Sequence, residues 1–177
     1  HYRQTEAYLS ASHLYSPLSW MSLSLANDVQ YDYLAANLVN FVYPTRWTAL
    51  TSLATNISAG NLSAQASLLH TFVDDHTRTA SSTAGNKSVF TPTIALSYKM
   101  PSSYSRTTTH NSGLALRTFY KRIFRMPTFN DLYYTFIGNK ALKPEYTTQY
   151  DIGFTYDLAW EGAPLRSLQW QVDGYYN

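Results

Sequence analysis

Residues 20–33 read WMSLSLANDVQYDY, and their polarity alternates along the stretch. One parity is mostly apolar, whereas the other carries Ser, Ala, Asp and Gln. Because successive side chains of a β-strand point to opposite faces, a period of two predicts a strand with one apolar face and one polar face. The same alternation recurs at 89–100, 147–158 and 168–177. These segments predict an all-β fold.

Weaker alternation, blurred by small residues, predicts further strands at 4–15, 46–58, 62–73 and 113–124. Their β-branched and aromatic residues favour strands over helices. The single helical feature that we expect is one turn at 35–42. The sequence therefore predicts eight antiparallel strands.

The predicted connections between these strands differ in length. Short turns are expected at Ser16-Pro17 and at 58–61. Long connections are expected at 34–45, 74–88 and 125–146. Transmembrane barrels show this asymmetry, with short turns at one rim and long loops at the other. The connections at 101–112 and 159–167 should lie on the short side and are longer than this rule predicts.

The composition indicates whether the apolar face contacts lipid or forms the core of a soluble protein. Charged residues make up 14% of the chain and aromatic residues 16%, whereas soluble domains carry about 25% charged residues. A soluble surface is usually rich in Lys and Glu, and the polar parity here is not. Aromatic residues stand near strand ends, as in the girdles of a membrane barrel: Trp20, Tyr31, Tyr33, Trp47, Tyr156 and Trp160. A soluble β-sandwich with its apolar parity as core remains the alternative.

Several function classes lack support in the residues. The net charge of +2 is small and scattered, so nucleic acid is not an expected partner. The chain has no Cys, no GxSxG, Walker or GxGxxG motif, and no run of eighteen apolar residues. His13, His70 and His110 do not have the spacing of a zinc site. We therefore expect no enzyme activity, no metal site and no cofactor.

The segment 116–133 reads LRTFYKRIFRMPTFNDLY and carries a specific motif. It resembles the TonB-dependent outer-membrane receptors, in which a rising strand ends in Phe-Arg-x-Pro, then Ser or Thr, then Asn-Glu/Asp-Leu-Tyr. A Gly-Asn pair, a Leu, a Pro-Glu pair and a descending strand with an acidic residue before a Gly follow. The matching residues are Phe124, Arg125, Pro127, Thr128, Asn130, Asp131, Leu132, Tyr133, Gly138, Asn139, Leu142, Pro144 and Glu145, with Asp151 and Gly153 in the next strand.

The resemblance implies that residues 1–177 are part of a 22-stranded transmembrane barrel, without the plug domain and signal peptide of the family. It implies active import of a scarce nutrient, such as a ferric siderophore, haem or cobalamin, driven by TonB and the proton-motive force. The implied partners are outer-membrane lipid, the nutrient and TonB, reached through an N-terminal region that this chain lacks. A surface lipoprotein that caps the barrel is a further candidate, and a passive porin or structural barrel is the alternative function.

We expect the motif residues to shape the loop, with ligand contact as the second possibility. Pro127 and Pro144 should stop strand pairing, and Gly138-Asn139 should form a turn. Further ligand-binding candidates in predicted outer loops are Asp74, Asp75, His76, Arg78 and Tyr134, although solvated loop polarity also explains them. His76 is the loop histidine that could ligate haem. The polar-parity carboxylates Asp28, Asp32, Asp151 and Asp157 are expected to pair with Arg117, Lys121 or plug residues.

Overall fold

An antiparallel sheet forms almost all of the chain that the structure describes. The computed structural model describes residues 2–79, 85–100, 110–133, 138–139, 141–160 and 167–177. Its elements are β1 (Tyr2–Leu18), β2 (Met21–Ala36), β3 (Pro44–Ala59), β4 (Leu62–Thr77), β5 (Lys87–Lys99), β6 (His110–Arg125), α1 (Phe129–Tyr133), β7 (Glu145–Trp160) and β8 (Ser167–Tyr176). The strands follow one another in the sheet from β1 to β8. The predicted all-β fold of eight strands is confirmed, and the short helix α1 was not predicted.

The register keeps the two sequence parities on separate faces of the sheet. Asp32 of β2 pairs with Glu6 of β1 and Arg46 of β3, and Arg46 pairs with Asp75 of β4. Because paired residues of antiparallel strands point to the same side, these charges form one row on a polar face. The opposite, apolar face carries cross-strand aromatic pairs, such as Tyr31 with Trp47 at 4.8 Å between ring centroids.

The apolar face has no second layer packed against it in the described part of the chain. Ile152 is 70% exposed and Trp170 61% exposed on this face. A soluble sandwich would bury such residues beneath another sheet, whereas all described strands belong to one sheet. The sandwich alternative is therefore wrong. No helix in the described ranges is long and apolar enough to span a membrane.

The connections divide between the two ends of the sheet as predicted. Two-residue turns join β1 to β2 at Ser19-Trp20 and β3 to β4 at Gly60-Asn61, where Gly60 has a φ of 58°. At the opposite end, which we call the long-loop end, the connections span 37–43, 78–86 and 126–144. Residues 101–109 and 161–166 lie outside the described ranges, so the two long connections expected at the short-turn end stay predictions.

Two local predictions near these connections were wrong. The chain does not turn at Ser16-Pro17, because β1 continues to Leu18 with an irregular register after Tyr15. Proline, which lacks an amide donor, is tolerated at such an irregularity. The helical turn expected at 35–42 is also absent, since β2 runs to Ala36 and Asn40 adopts a left-handed φ of 62°.

Candidate functional site

The motif-bearing connection, residues 126–144, is the motif loop. Strand pairing ends at Arg125 and Glu145, which face each other across β6 and β7, so the predicted stop between Pro127 and Pro144 is confirmed. Asn139 starts a turn in the second half of the loop, where its carbonyl oxygen accepts a hydrogen bond from the Leu142 amide at 3.2 Å. The Asn139 amide in turn donates to the carbonyl of Asp131 at 2.8 Å, which ties the turn back to α1.

A capping box starts α1. Asp131 Oδ2 accepts the backbone amide of Thr128 at 2.8 Å and its hydroxyl at 2.7 Å. The Thr128 hydroxyl oxygen accepts the Asp131 amide at 3.3 Å. This reciprocal pattern satisfies amides that a helix start leaves without partners. The hydroxyl first, and then the amide of Thr128, hold the pKa of Asp131 below its ordinary value of 3.8.

The motif loop rests on Arg46 of β3, which uses its guanidinium in three directions. Nε and Nη2 donate to the two carboxylate oxygens of Asp75 at 2.6 and 2.7 Å, a bidentate pair. Nη1 donates to the carbonyl of Pro127 at 2.9 Å. The ring of Phe129 lies 4.9 Å from the guanidinium carbon, within cation–π distance. One side chain of the wall therefore holds two residues of the loop.

Asp75 completes this site from β4. Its side chain is 0% exposed and that of Arg46 is 11% exposed. The hydroxyl of Tyr133, at the end of α1, lies 3.4 Å from Asp75 Oδ2. Removing one partner from such a buried pair leaves an uncompensated charge and costs about 3–5 kcal/mol. The pair is therefore stable only as a complete unit.

Apolar packing joins the loop to its neighbour. Leu132 is 1% exposed and Tyr133 5% exposed, while Phe129 packs against a cluster formed by Leu34, Ala36 and Phe41. Phe41 belongs to the connection 37–43, so the motif loop packs against a second connection as well as the sheet. The motif loop is thus folded onto the polar face instead of projecting freely from the end of the sheet.

Two cavities adjoin the described residues of the motif loop. The larger, of about 370 Å³, lies between the start of α1 and the wall. It is lined by Gln30, Asp32 and Arg46 from the wall and by Thr128, Phe129 and Asn130 from the loop, with Gln4, Glu6 and Leu34 at its margin. The smaller, of about 260 Å³, is lined by Arg125, Pro127, Asp131, Leu142, Lys143 and Glu145. Most residues of the second set are motif residues.

A second Arg–Asp pair lies further down the polar face. Arg117 Nη2 of β6 donates to Asp173 Oδ1 of β8 at 2.5 Å and so reaches over β7. Gly153, between them in the sheet, leaves the room for this contact, because a Cβ there would collide with Asp173 Oδ1. Arg117 therefore pairs with Asp173 and not with one of the four carboxylates predicted for it. The carboxylates of Asp28, Asp32 and Asp157 accept bonds from Ser10, Gln30 and Gln169 instead. The pairing of those carboxylates with plug residues stays a prediction.

The structure separates the residues that the sequence grouped as 74–78. β4 extends through Thr77, so this segment is a strand and not a loop, and successive side chains alternate between faces. Asp75 is buried on the polar face, whereas Asp74 and His76 lie together on the apolar face, with 3.5 Å between His76 Nδ1 and Asp74 Oδ2. Only Arg78 follows the strand, and its amide donates to Val42. The four residues therefore do not share one face of the sheet, and ligand binding by them stays a prediction.

Other site predictions had different outcomes. Tyr134 lies outside the described residues. Among the described residues, no three His, Cys, Asp or Glu side chains form a group suited to a metal ion. Sequence reasoning missed Arg46. The available signal was that Arg46 is the one Lys, Arg, Asp or Glu between Asp32 and Asp74, on the polar parity of its strand.

A meander of long antiparallel strands, with one apolar face and long connections at one end, has the features of the wall of an outer-membrane β-barrel. A family model described as TonB dependent receptor-like, beta-barrel matches residues 4–177, so the chain belongs to that family. Members of the family are transport receptors of the bacterial outer membrane. A search of curated proteins found no match for this chain.

Proposed function

We propose that the parent protein binds a scarce nutrient at the long-loop end and imports it with energy from TonB and the proton-motive force. The candidates are a ferric siderophore, haem or cobalamin. The observation that carries this proposal is the motif loop folded onto the polar face at the long-loop end, with family membership as its context. In this barrel class the polar face lines the interior, so the loop lies where a nutrient would enter.

The chain contributes wall strands and three outer connections to this function. We propose that the buried motif residues, such as Pro127 and Leu132, shape the loop. The more accessible Asn130 and Leu142, which border the cavities, are the proposed ligand-facing residues, and Tyr134 stays a candidate. The proposed partners outside the barrel wall are outer-membrane lipid against the apolar face, TonB and a capping surface lipoprotein.

Uptake assays test the proposal. Cells that carry or lack the full-length parent receive labelled cobalamin, haem or a ferric siderophore, with and without an uncoupler of the proton-motive force. We expect receptor-dependent uptake of one compound, lost with the uncoupler. Receptor-dependent uptake that ignores the uncoupler would instead support a passive porin. Absence of receptor-dependent uptake of all three would remove these cargo classes from the proposal.

A further inference from the structure

We propose that Arg46 and Asp75 form a latch that holds the motif loop against the inner wall, and that Arg46 is thereby a positioning residue for ligand capture. The proposed role of Arg46 in ligand capture rests on the proposed function, whereas the proposed contact that holds the loop does not. Neither residue belongs to the motif, and both lie on strands distant from it in sequence.

The contacts of the motif loop with the strands meet at one point of the wall. Pro127, Phe129 and Tyr133 all touch either Arg46 or Asp75. Other polar contacts of the described loop residues lie within the loop, as in its capping box and the turn at Asn139. The latch therefore connects the described part of the loop with the strands beneath it through polar contacts.

The hydrogen-bond donors of Arg46 are divided between Asp75 and the motif loop. Nε and Nη2 are used by Asp75, so Nη1 remains to bind the Pro127 carbonyl. The bidentate contact with Asp75 fixes the guanidinium plane, which in turn fixes where Nη1 and the ring-binding face lie. A Lys at this position would keep a positive charge beside Asp75 but could not reproduce this planar arrangement.

Arg46 of the latch also lines a cavity between the wall and the motif loop. The cavity of about 370 Å³ has wall residues on one side and Thr128, Phe129 and Asn130 on the other. Its second side exists only while α1 stays on the wall. Movement of the loop away from Arg46 would open this cavity and displace Asn130. The latch therefore determines the shape of the cavity that a ligand would enter.

Hydrogen exchange of the full-length parent, folded in detergent micelles, tests the latch without any ligand. The test variant is Arg46→Met/Asp75→Leu, in which apolar side chains replace the buried pair, a change that cores often tolerate. The matched control is Arg117→Met/Asp173→Leu, which removes an Arg–Asp pair that does not touch the motif loop. We expect the amides of Leu132 and Asn139 to exchange about tenfold faster or more in the test variant, and at the wild-type rate in the control.

A conservative variant keeps the test valid if the double variant fails to assemble. Arg46→Lys should retain the ion pair and barrel assembly, seen as heat-modifiable electrophoretic mobility, yet still release the loop. Faster loop exchange in every Arg46 variant that assembles, with an unchanged Arg117→Met/Asp173→Leu control, would support the latch. Loop exchange equal to wild type in an assembled Arg46 variant would overturn it.

Equilibrium binding of cobalamin, haemin and a ferric siderophore, each tested separately, separates the two proposals. Weaker binding of one probe in the Arg46 variants, by about tenfold, would support the role of the latch in ligand capture. Faster loop exchange with unchanged binding of a probe that wild type binds would overturn that role and leave the latch in place. If wild type binds none of the probes, the cargo classes of the proposed function fail, and the exchange result alone decides the latch.

Discussion

The described part of the polar face carries two Arg–Asp pairs of the same chemistry in different surroundings. Arg46 and Asp75 are on adjacent strands, and the Asp75 carboxylate is wholly buried beneath the motif loop. Arg117 and Asp173 are on strands separated by β7, and their side chains are 39% and 35% exposed. The motif loop contacts the Arg46–Asp75 pair, whereas an open cavity adjoins the Arg117–Asp173 pair.

This difference teaches that burial, and not the ion pair itself, determines what each pair does. An exposed pair is screened by solvent and contributes about 0–1 kcal/mol. A buried pair gains little over apolar residues, yet its disruption is costly because one charge is left without a partner. The cover that buries Asp75 is the motif loop, so this loop and this pair depend on each other.

The largest effect should follow from removing that cover. Deletion of 126–145 in the full-length parent should reduce nutrient binding below detection, because the deletion removes the loop sides of both cavities. The barrel should still assemble, since strand pairing already ends at Arg125. Binding and heat-modifiable mobility are the measurements, and an insertion at Gly60-Asn61, at the opposite end, is the control. Full binding by the deletion variant would contradict the proposed role of the loop.

The next effect compares the two pairs directly. Asp75→Asn should lower the free energy of unfolding by about 3–5 kcal/mol, because Arg46 would remain buried without its counter-charge. Asp173→Asn should lower it by at most about 1 kcal/mol, because its pair is partly open to solvent. Urea unfolding of the refolded parent in lipid vesicles measures both values. Equal losses for the two variants would mean that burial does not distinguish the pairs.

A smaller effect is expected at the glycine beneath the exposed pair. Gly153→Ala should cost about 1–3 kcal/mol, because the new methyl group collides with Asp173 Oδ1 and approaches the Val172 carbonyl oxygen at 3.0 Å. Gly113→Ala is the matched control, since a Cβ at Gly113 meets nothing within 4 Å. In urea unfolding, Asp173→Ala should relieve part of the cost of Gly153→Ala. Strictly additive losses would argue against this steric explanation.

The smallest effect concerns the capping box that starts α1. Because the pKa of Asp131 is lowered in the folded loop, its contribution to loop stability is complete above its ordinary pKa of 3.8. The contribution is lost as pH falls through the lower folded pKa. Hydrogen exchange of the Leu132 amide, corrected for intrinsic rates, should therefore accelerate a few-fold in acid relative to pH 6. Asp131→Asn should remove this pH response, and an equal response in that variant would exclude Asp131 as its source.

The sequence predicted much of the fold because its signals are local. Alternation in 20–33 identified a strand and its two faces, and Pro127 and Pro144 marked where pairing stops. The wrong predictions also came from local signals. The connection predicted to begin at 74 begins only after Thr77, because pairing with the start of β3 continues β4 through Asp74 and Asp75, which have low strand propensity. Tertiary pairing overrides such propensities.

The sequence by itself determined the class of protein, because a period of two, few charges and a specific motif can each be read along the chain. Only the tertiary structure decided that Arg46, Asp75 and the motif loop form one buried unit. Arg46 and Pro127 are 81 residues apart, and their contact depends on strand register and on how α1 packs. Burial is a property of the assembled sheet and loop, so no pattern along a single strand could have identified Asp75 as a buried partner and Asp173 as an exposed one.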